Sequence, residues 1–354
     1  DWLLDGSSAS HDIEVGFRYH EDEEDRLQRS DKYTQIDQTL ILDSIGVTGG
    51  NKNNRVVQAE ALAIYIKDDI AFGDFIVTPG VRFEDIKLER RDWSTLPRNT
   101  TPSLKQNSVT AVLPSIGVLY NVNDNLSLLA GAYNGFGTPT TTSGVEEEQA
   151  LNVELGGRYQ QADLMIELIA FTSDYENLVG ECTASSSTSD CDIGDQFNGG
   201  QATVRGLEFQ LTNSFQLTDS ITMPVSIAYT YTDAEFDSTF DGEFFGDVSK
   251  GDPIPYIPEN QVALALGIEN GPYSINANLN YVDAVCVKAS CVDFEKTDDS
   301  TVLNLVGNYQ VNNNLGVYLR LENITDEADI IARQPKGARP NKARSATLGM
   351  RLVF

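Results

Sequence analysis

Positive charge is scarce in this chain: 25 Lys and Arg stand against 53 Asp and Glu across 354 residues, a formal net charge of −28. A phosphate backbone calls for a basic surface, so the balance argues against nucleic acid as a partner. Histidine is nearly absent. His11 and His20 are nine positions apart, in no HExxH setting, and His20 reads as a residue of an aqueous rim rather than a metal ligand. No GxSxG, Walker loop or dinucleotide fingerprint occurs. The expectation is a protein that is not an enzyme, with no metal site and no covalent cofactor. Long apolar runs are missing too. Without 18 consecutive apolar residues there is no transmembrane helix. Because the chain opens at Asp1 without a leader, we expect a removed signal or a fragment.

What is present is period-two alternation. Ala346, Leu348, Met350, Leu352 and Phe354 share one face; Thr347, Gly349 and Arg351 share the other, with Val353 the one exception. Leu315, Val317, Leu319 and Leu321 alternate with Gly316, Tyr318, Arg320 and Glu322. Tyr273, Ile275, Ala277, Leu279 and Tyr281 alternate with serine and asparagine. Soluble strands run to about 5–6 residues, whereas these repeats have the length of tilted membrane-crossing strands. The fold class expected is all-β, a transmembrane antiparallel β-barrel. Fourteen strands are predicted: 12–20, 56–70, 74–90, 107–120, 125–135, 147–160, 162–176, 201–214, 220–235, 258–270, 272–284, 300–311, 314–324 and 343–354. Leu264, Leu266, Leu279, Leu319 and Leu348 are expected on the lipid face, with Asn276, Asn278 and Arg320 inward. The stretch 34–42 also looks extended and is placed in the first long loop.

Short and long connections alternate, as periplasmic turns and external loops do in outer-membrane barrels. The short ones are Gly73, 121–124, 160–161, 215–219, 270–271 and 312–314. The long ones are 21–55, 91–106, 136–146, 177–200, 236–257, 285–299 and 325–342. All four cysteines fall in long loops. Pairing within each loop, Cys182 with Cys191 and Cys286 with Cys291, respects that topology and needs an oxidising compartment. A Cys₄ metal site lacks the close CxxC spacing.

Several segments resemble TonB-dependent receptors of the ferric dicitrate type. They are Gly16 to Arg26, Tyr65 to Ile70, Thr78 to Glu84, Gly135 to Pro139, Pro255 to Asn260, Leu321 to Glu327, Pro335 to Pro340, and the closing run to Phe354. The resemblance implies a 22-stranded outer-membrane barrel of which residues 1–354 are the C-terminal part; fourteen strands closing alone is the other reading, since barrels occur with many even counts. On that resemblance the plug domain is expected to lie outside this chain, and the TonB complex to engage the missing N-terminal region. It also implies uptake of a ferric chelate or siderophore, with outer-membrane lipid and lipopolysaccharide as surroundings. Two other functions stay open: a passive porin-like channel, and a surface-exposed structural barrel in an assembly.

Candidate binding residues follow from charge. Residues 333–344 hold Arg333, Lys336, Arg339, Lys342 and Arg344 with no acid. Arginine forks suit the carboxylates of an anionic iron chelate, and equally the phosphates of lipopolysaccharide or neighbouring acidic loops. Arg158 and Arg320 alternate into the lumen, where they would touch ligand or pair with wall acids. The acidic run Glu21 to Asp25 and the cluster Asp237, Asp241, Glu243 and Asp247 read either as solvated loops or as Ca²⁺ ligands without EF-hand spacing. Tyr229, Tyr231, Tyr273 and Tyr281 are expected in interfacial girdles.

Overall fold

The computed structural model describes residues 2–6, 8–46, 53–94, 96–142, 144–181, 196–242, 245–334 and 337–353. One sheet of 15 strands dominates, each strand hydrogen-bonded to its successor along the chain once the loop hairpins are set aside. In order these are Trp2–Asp5, Ser10–Gln28, Asn53–Phe72, Phe75–Asp92, Ser103–Asn123, Leu126–Gly137, Glu148–Gln161 and Leu164–Tyr175. They continue with Ala202–Thr218, Ile221–Phe236, Asn260–Asn270, Tyr273–Val282, Ser300–Gln310, Leu315–Glu322 and Ser345–Leu352. Every pairing is antiparallel. All fourteen expected strands are present. Trp2–Asp5, too short to show a period, is additional. Among the described residues, its edge and that of Ser345–Leu352 do not pair with each other.

Registry turns the alternation within strands into bands across the sheet, because residues directly opposite share a face. Ile227, Leu264, Leu279 and Leu303 are consecutive partners. So are Val225, Leu266, Ala277, Leu305, Leu321 and Ala346, and Leu319 faces Leu348. On the other face Ser226, Ala265, Asn278 and Asn304 align, as do Asn276, Val306, Arg320 and Thr347. A one-residue slip would turn every leucine toward the polar side, which pins the register.

The short turns carry the backbone chemistry that tight reversal demands. Gly73 and Gly271 have φ of 57° and 58°, accessible to glycine without a Cβ clash. Asn312 Oδ1 accepts the amides of Asn314 and Leu315 at 2.9 and 3.0 Å, and Asn123 serves Asn125 and Leu126 in the same way. Beside these turns, Phe75 stacks on Phe72 and Tyr120, and Tyr273 on Tyr309 at 4.7 Å between centroids. Such rings suit a membrane–water boundary.

Four strands overrun their expected limits at the opposite end. Ser10–Gln28, Asn53–Phe72, Phe75–Asp92 and Ser103–Asn123 contain 19, 20, 18 and 21 residues, about twice what a tilted span needs. Their outer halves form a blade beyond the membrane. The acidic run Glu21 to Asp25 therefore lies in strand rather than loop, and the segment 21–55 is only partly a connection. Once both faces meet water, apolar alternation ends while pairing continues. At the blade's tip, Lys32–Ile36 and Thr39–Ser44 form a separate hairpin across 34–42. Its turn residues Asp37 and Gln38 have φ of 46° and 69°. The turn before Ile221 also differs from expectation, since the strand from Ala202 runs on to Thr218.

Candidate functional site: the external vestibule

Above the later strands the long connections interlock into a cap. Phe236 is fully buried and packs with Ala202, Phe245, Val248 and Ala289, with Tyr175, Leu178, Phe240 and Ile254 around them. The Phe236 ring meets Phe245 edge-on at 5.1 Å and Phe240 at 5.5 Å. Cys286 and Cys291 form the expected disulfide, with Cα atoms 5.0 Å apart. Inside that ring, Ala289 donates its amide to Phe245 O at 2.8 Å. The other expected pair, Cys182 and Cys191, lies outside the described residues.

The last long loop is held against this cap. Asp298 N donates to Ile330 O at 2.9 Å, Ser300 Oγ to Asp329 at 2.7 Å, and Gln334 Nε2 to Val287 O at 3.2 Å. Asn323, 1 % exposed, donates through Nδ2 to Glu327 O and Lys342 O, both at 2.8 Å. Asn323 thus closes the loop on itself, at a φ of 48° that asparagine tolerates.

The structure separates the sequence-predicted cations. Arg333 donates Nε to Lys296 O at 2.5 Å and lies over the Phe294 ring at 5.3 Å. Arg339 donates to Gln334 O. Neither contact neutralises a charge. Lys342 pairs with Glu322 at 2.6 Å and Arg344 with Asp326 at 3.0 Å. Lys336 lies outside the described residues. In the wall, Arg158 pairs with Glu167 on the next strand, Nε to Oε2 at 2.6 Å. Arg320 is exposed on the polar face, beside Val306 and Thr347. His20 lines a lumen-side cavity of about 190 Å³ with Arg18, Arg82, Glu84 and Phe136, its Nε2 3.2 Å from Asp22.

Among the described residues, the acidic side chains do not converge into a cation site. In a strand Glu21, Glu23 and Asp25 point one way and Asp22 and Glu24 the other, and no group of three metal-binding side chains occurs among the described residues. In the second cluster Asp237 accepts from Thr203 at 2.6 Å, and Glu243 lies outside the described residues.

A cationic cluster that the linear sequence hides sits at the outer end of the blade. Ile13, Val15, Phe17 and Tyr19 occupy the lipid side of the first long strand, so Asp22, Glu24 and Arg26 face the lumen side. Registry places Glu24, Val57, Arg90 and Lys105 in one row, and Arg26, Arg55, Asp92 and Ser103 in the next. The two rows hold four bases and two acids. Arg90 chelates Asp92, with Nε 2.8 Å from Oδ2, and Arg26 meets Glu24 at 2.5 Å. Arg55 Nε is buried and has no hydrogen-bond partner. Burial, then the neighbouring Arg90 and Arg26, hold its guanidinium below the usual arginine range. The blade's other face differs: Glu21, Glu60, Lys87 and Ser108 form one row, and Glu23, Gln58, Glu89 and Gln106 the next.

A membrane-crossing antiparallel wall, lipid-clad outside and polar within, with a vestibule of external loops at one end, defines an outer-membrane β-barrel. The chain belongs to the family described as TonB dependent receptor-like, beta-barrel, whose profile matches residues 2–324. That family comprises receptors and transporters of the bacterial outer membrane, not enzymes. The metal-pseudopaline receptor CntO of Pseudomonas aeruginosa is 24% identical over 290 residues, covering 78% of this chain and 38% of that receptor. The unliganded ferric citrate transporter FecA superposes with a TM-score of 0.75 at 20% identity, over 98% of this chain and 52% of FecA. The siderophore receptor PiuA of Acinetobacter baumannii gives 0.76 at 18% identity, over 99% and 54%. The chain thus spans well under half the length of CntO and about half of each structural neighbour.

Proposed function

We propose that this chain is the C-terminal part of a TonB-dependent receptor that imports an anionic metal chelate, ferric dicitrate-like in charge and oxygen chemistry. The plug and the TonB-engaging segment belong to the portion ahead of Asp1, and the 15 strands make up an arc of a wider barrel. The observation that carries this reading is the placement of charge. In a chain at −28, the external cations among the described residues include a group on the lumen side of the blade and another around Arg333 and Arg339. An acidic surface repels an anion, so capture needs local positive fields that raise its concentration at the mouth. The names of CntO and FecA, a metal-pseudopaline receptor and a ferric citrate transporter, support the class of cargo. The barrel performs no bond chemistry; the vestibule binds and TonB-linked energy drives release inward.

The test is uptake of radiolabelled ferric citrate by cells carrying the complete receptor, with and without TonB. Import that depends on both is expected. Import that persists without TonB would replace active transport with a passive pore, and a receptor that imports no chelate would point to a structural barrel.

A further inference from the structure

We infer that the lumen-side cluster Arg26, Arg55, Arg90 and Lys105 is a binding subsite for a polyanionic solute presenting carboxylate or phosphate oxygens. Four bases drawn from four strands meet on two adjacent rows with two acids, on a chain with twice as many acids as bases. Folding alone gives no reason to gather like charges and bury the Nε of one of them. A buried guanidinium N–H without an acceptor is costly. Arg26 and Arg90 already have acids, which orient their forks, and this leaves Arg55 Nε as the open donor. An oxygen anion seated between Arg55 and its neighbours would satisfy that donor and relieve the repulsion. Arginine forks match planar carboxylates and phosphates in two-point geometry. The face is the one continuous with His20 and the lumen, away from the lipid band, so the occupant arrives in solution. Asp22, one row inward beside Ala59, Leu88 and Asn107, sets an acidic limit to the site.

The assignment deepens the uptake reading, but its test is binding, not transport. The complete receptor in detergent is titrated calorimetrically with citrate and, separately, with pyrophosphate; the stronger arm identifies the oxygen chemistry. Arg55→Met should weaken binding at least about tenfold, the scale of one charge-assisted hydrogen bond, and flatten its salt dependence. Arg55→Lys should recover part of the loss. Lys87→Gln, on the opposite face of the same blade, should bind like the parent. Should Arg55→Met fail to assemble, Lys105→Gln at the edge of the cluster carries the same expectation of weakened binding. Cluster variants that bind both anions as tightly as the parent overturn the site, as does an equal loss in Lys87→Gln. The two readings fail separately. Uptake with unchanged binding in Arg55→Met removes only this subsite. Weakened binding in a receptor that imports no chelate removes only the transport reading.

Discussion

The cap and the blade stand at the same end of one sheet and are built on opposite principles. In the cap, Phe236, Ala202 and Ala289 are at most 1 % exposed, so irregular loops are held by burial, helped by the Cys286–Cys291 bridge. The blade has main-chain ladders continuous with the barrel wall but few buried apolar side chains toward its tip. There its side chains are tied by charge: Arg90 to Asp92, Arg91 to Glu89, and Arg98 to Asp25 through two bonds of 3.0 and 2.6 Å. Exposed pairs of this kind contribute about 0–1 kcal/mol each. The cap's shape is therefore specified by what it excludes from water, whereas the blade's is specified by register. A site built on the cap needs its core intact; a site built on the blade needs four strands in phase.

The largest effect should come from emptying the cap. Phe236→Ala removes an aromatic ring from a fully buried position, a change that costs about 3–5 kcal/mol in ordinary cores. Amide exchange in 236–257 and 285–299 should accelerate by orders of magnitude while the strands 53–72 and 75–92 keep their protection. Equal acceleration in the blade would break the contrast and make the two regions one cooperative unit. Next in size is the disulfide. Loop entropy for so short a ring allows about 2 kcal/mol, so Cys286→Ser should loosen the loop around Ala289 and speed its proteolysis without altering barrel assembly. An unchanged cleavage rate would assign the cap's order to burial alone.

The same contrast explains what could be read from the sequence. The wall was legible because lipid on one side and polar lumen on the other force a period of two, and Leu315 to Glu322 shows it plainly. The parity of short and long connections located the cap's loops and the cysteine pair that closes one of them. The blade was truncated because Glu21 to Gln28 alternates in direction but not in polarity, so no hydrophobic signal marks it as strand. The cationic cluster was invisible for a related reason. Arg26, Arg55, Arg90 and Lys105 are spread over 80 positions and meet only through successive strand pairings, 26 with 55, 57 with 90, and 90 with 105. The run 333–344 drew notice because its charges are contiguous, yet Lys342 and Arg344 are neutralised by Glu322 and Asp326. Contiguity in sequence made one cationic group visible, and distance in sequence concealed another.

Smaller effects would sharpen the comparison. Raising ionic strength screens exposed pairs while strengthening apolar burial, depending on the salt. Exchange at the blade's tip should rise with sodium chloride, and exchange around Phe245 and Val248 should not. A parallel rise in both would deny that charge holds one and burial the other.

The smallest effect expected is a pH response at a single latch. Arg98 joins Asp25 across 73 residues, reaches Asn54 Oδ1 at 2.7 Å, and lies over the Trp93 ring at 4.8 Å. Its guanidinium holds the Asp25 carboxyl below the usual carboxylate range. A depressed folded-state value means that the unfolded segment binds the proton more readily than the folded one. The contribution of the pair is therefore complete above the ordinary carboxylate value and is lost as pH falls through the lowered one. Solvent screens this exposed carboxylate, so the consequence is local rather than global. Protease cleavage near Arg98 should rise as the pH drops below the ordinary carboxylate range, in a protease active in acid. Asp25→Asn should show the acid-state cleavage rate already at neutral pH and lose its pH dependence, while cleavage in the cap stays constant. If Asp25→Asn keeps the parent's acid profile, the loop is held by Asn54 and Trp93, and the blade's order depends less on charge than its composition implies.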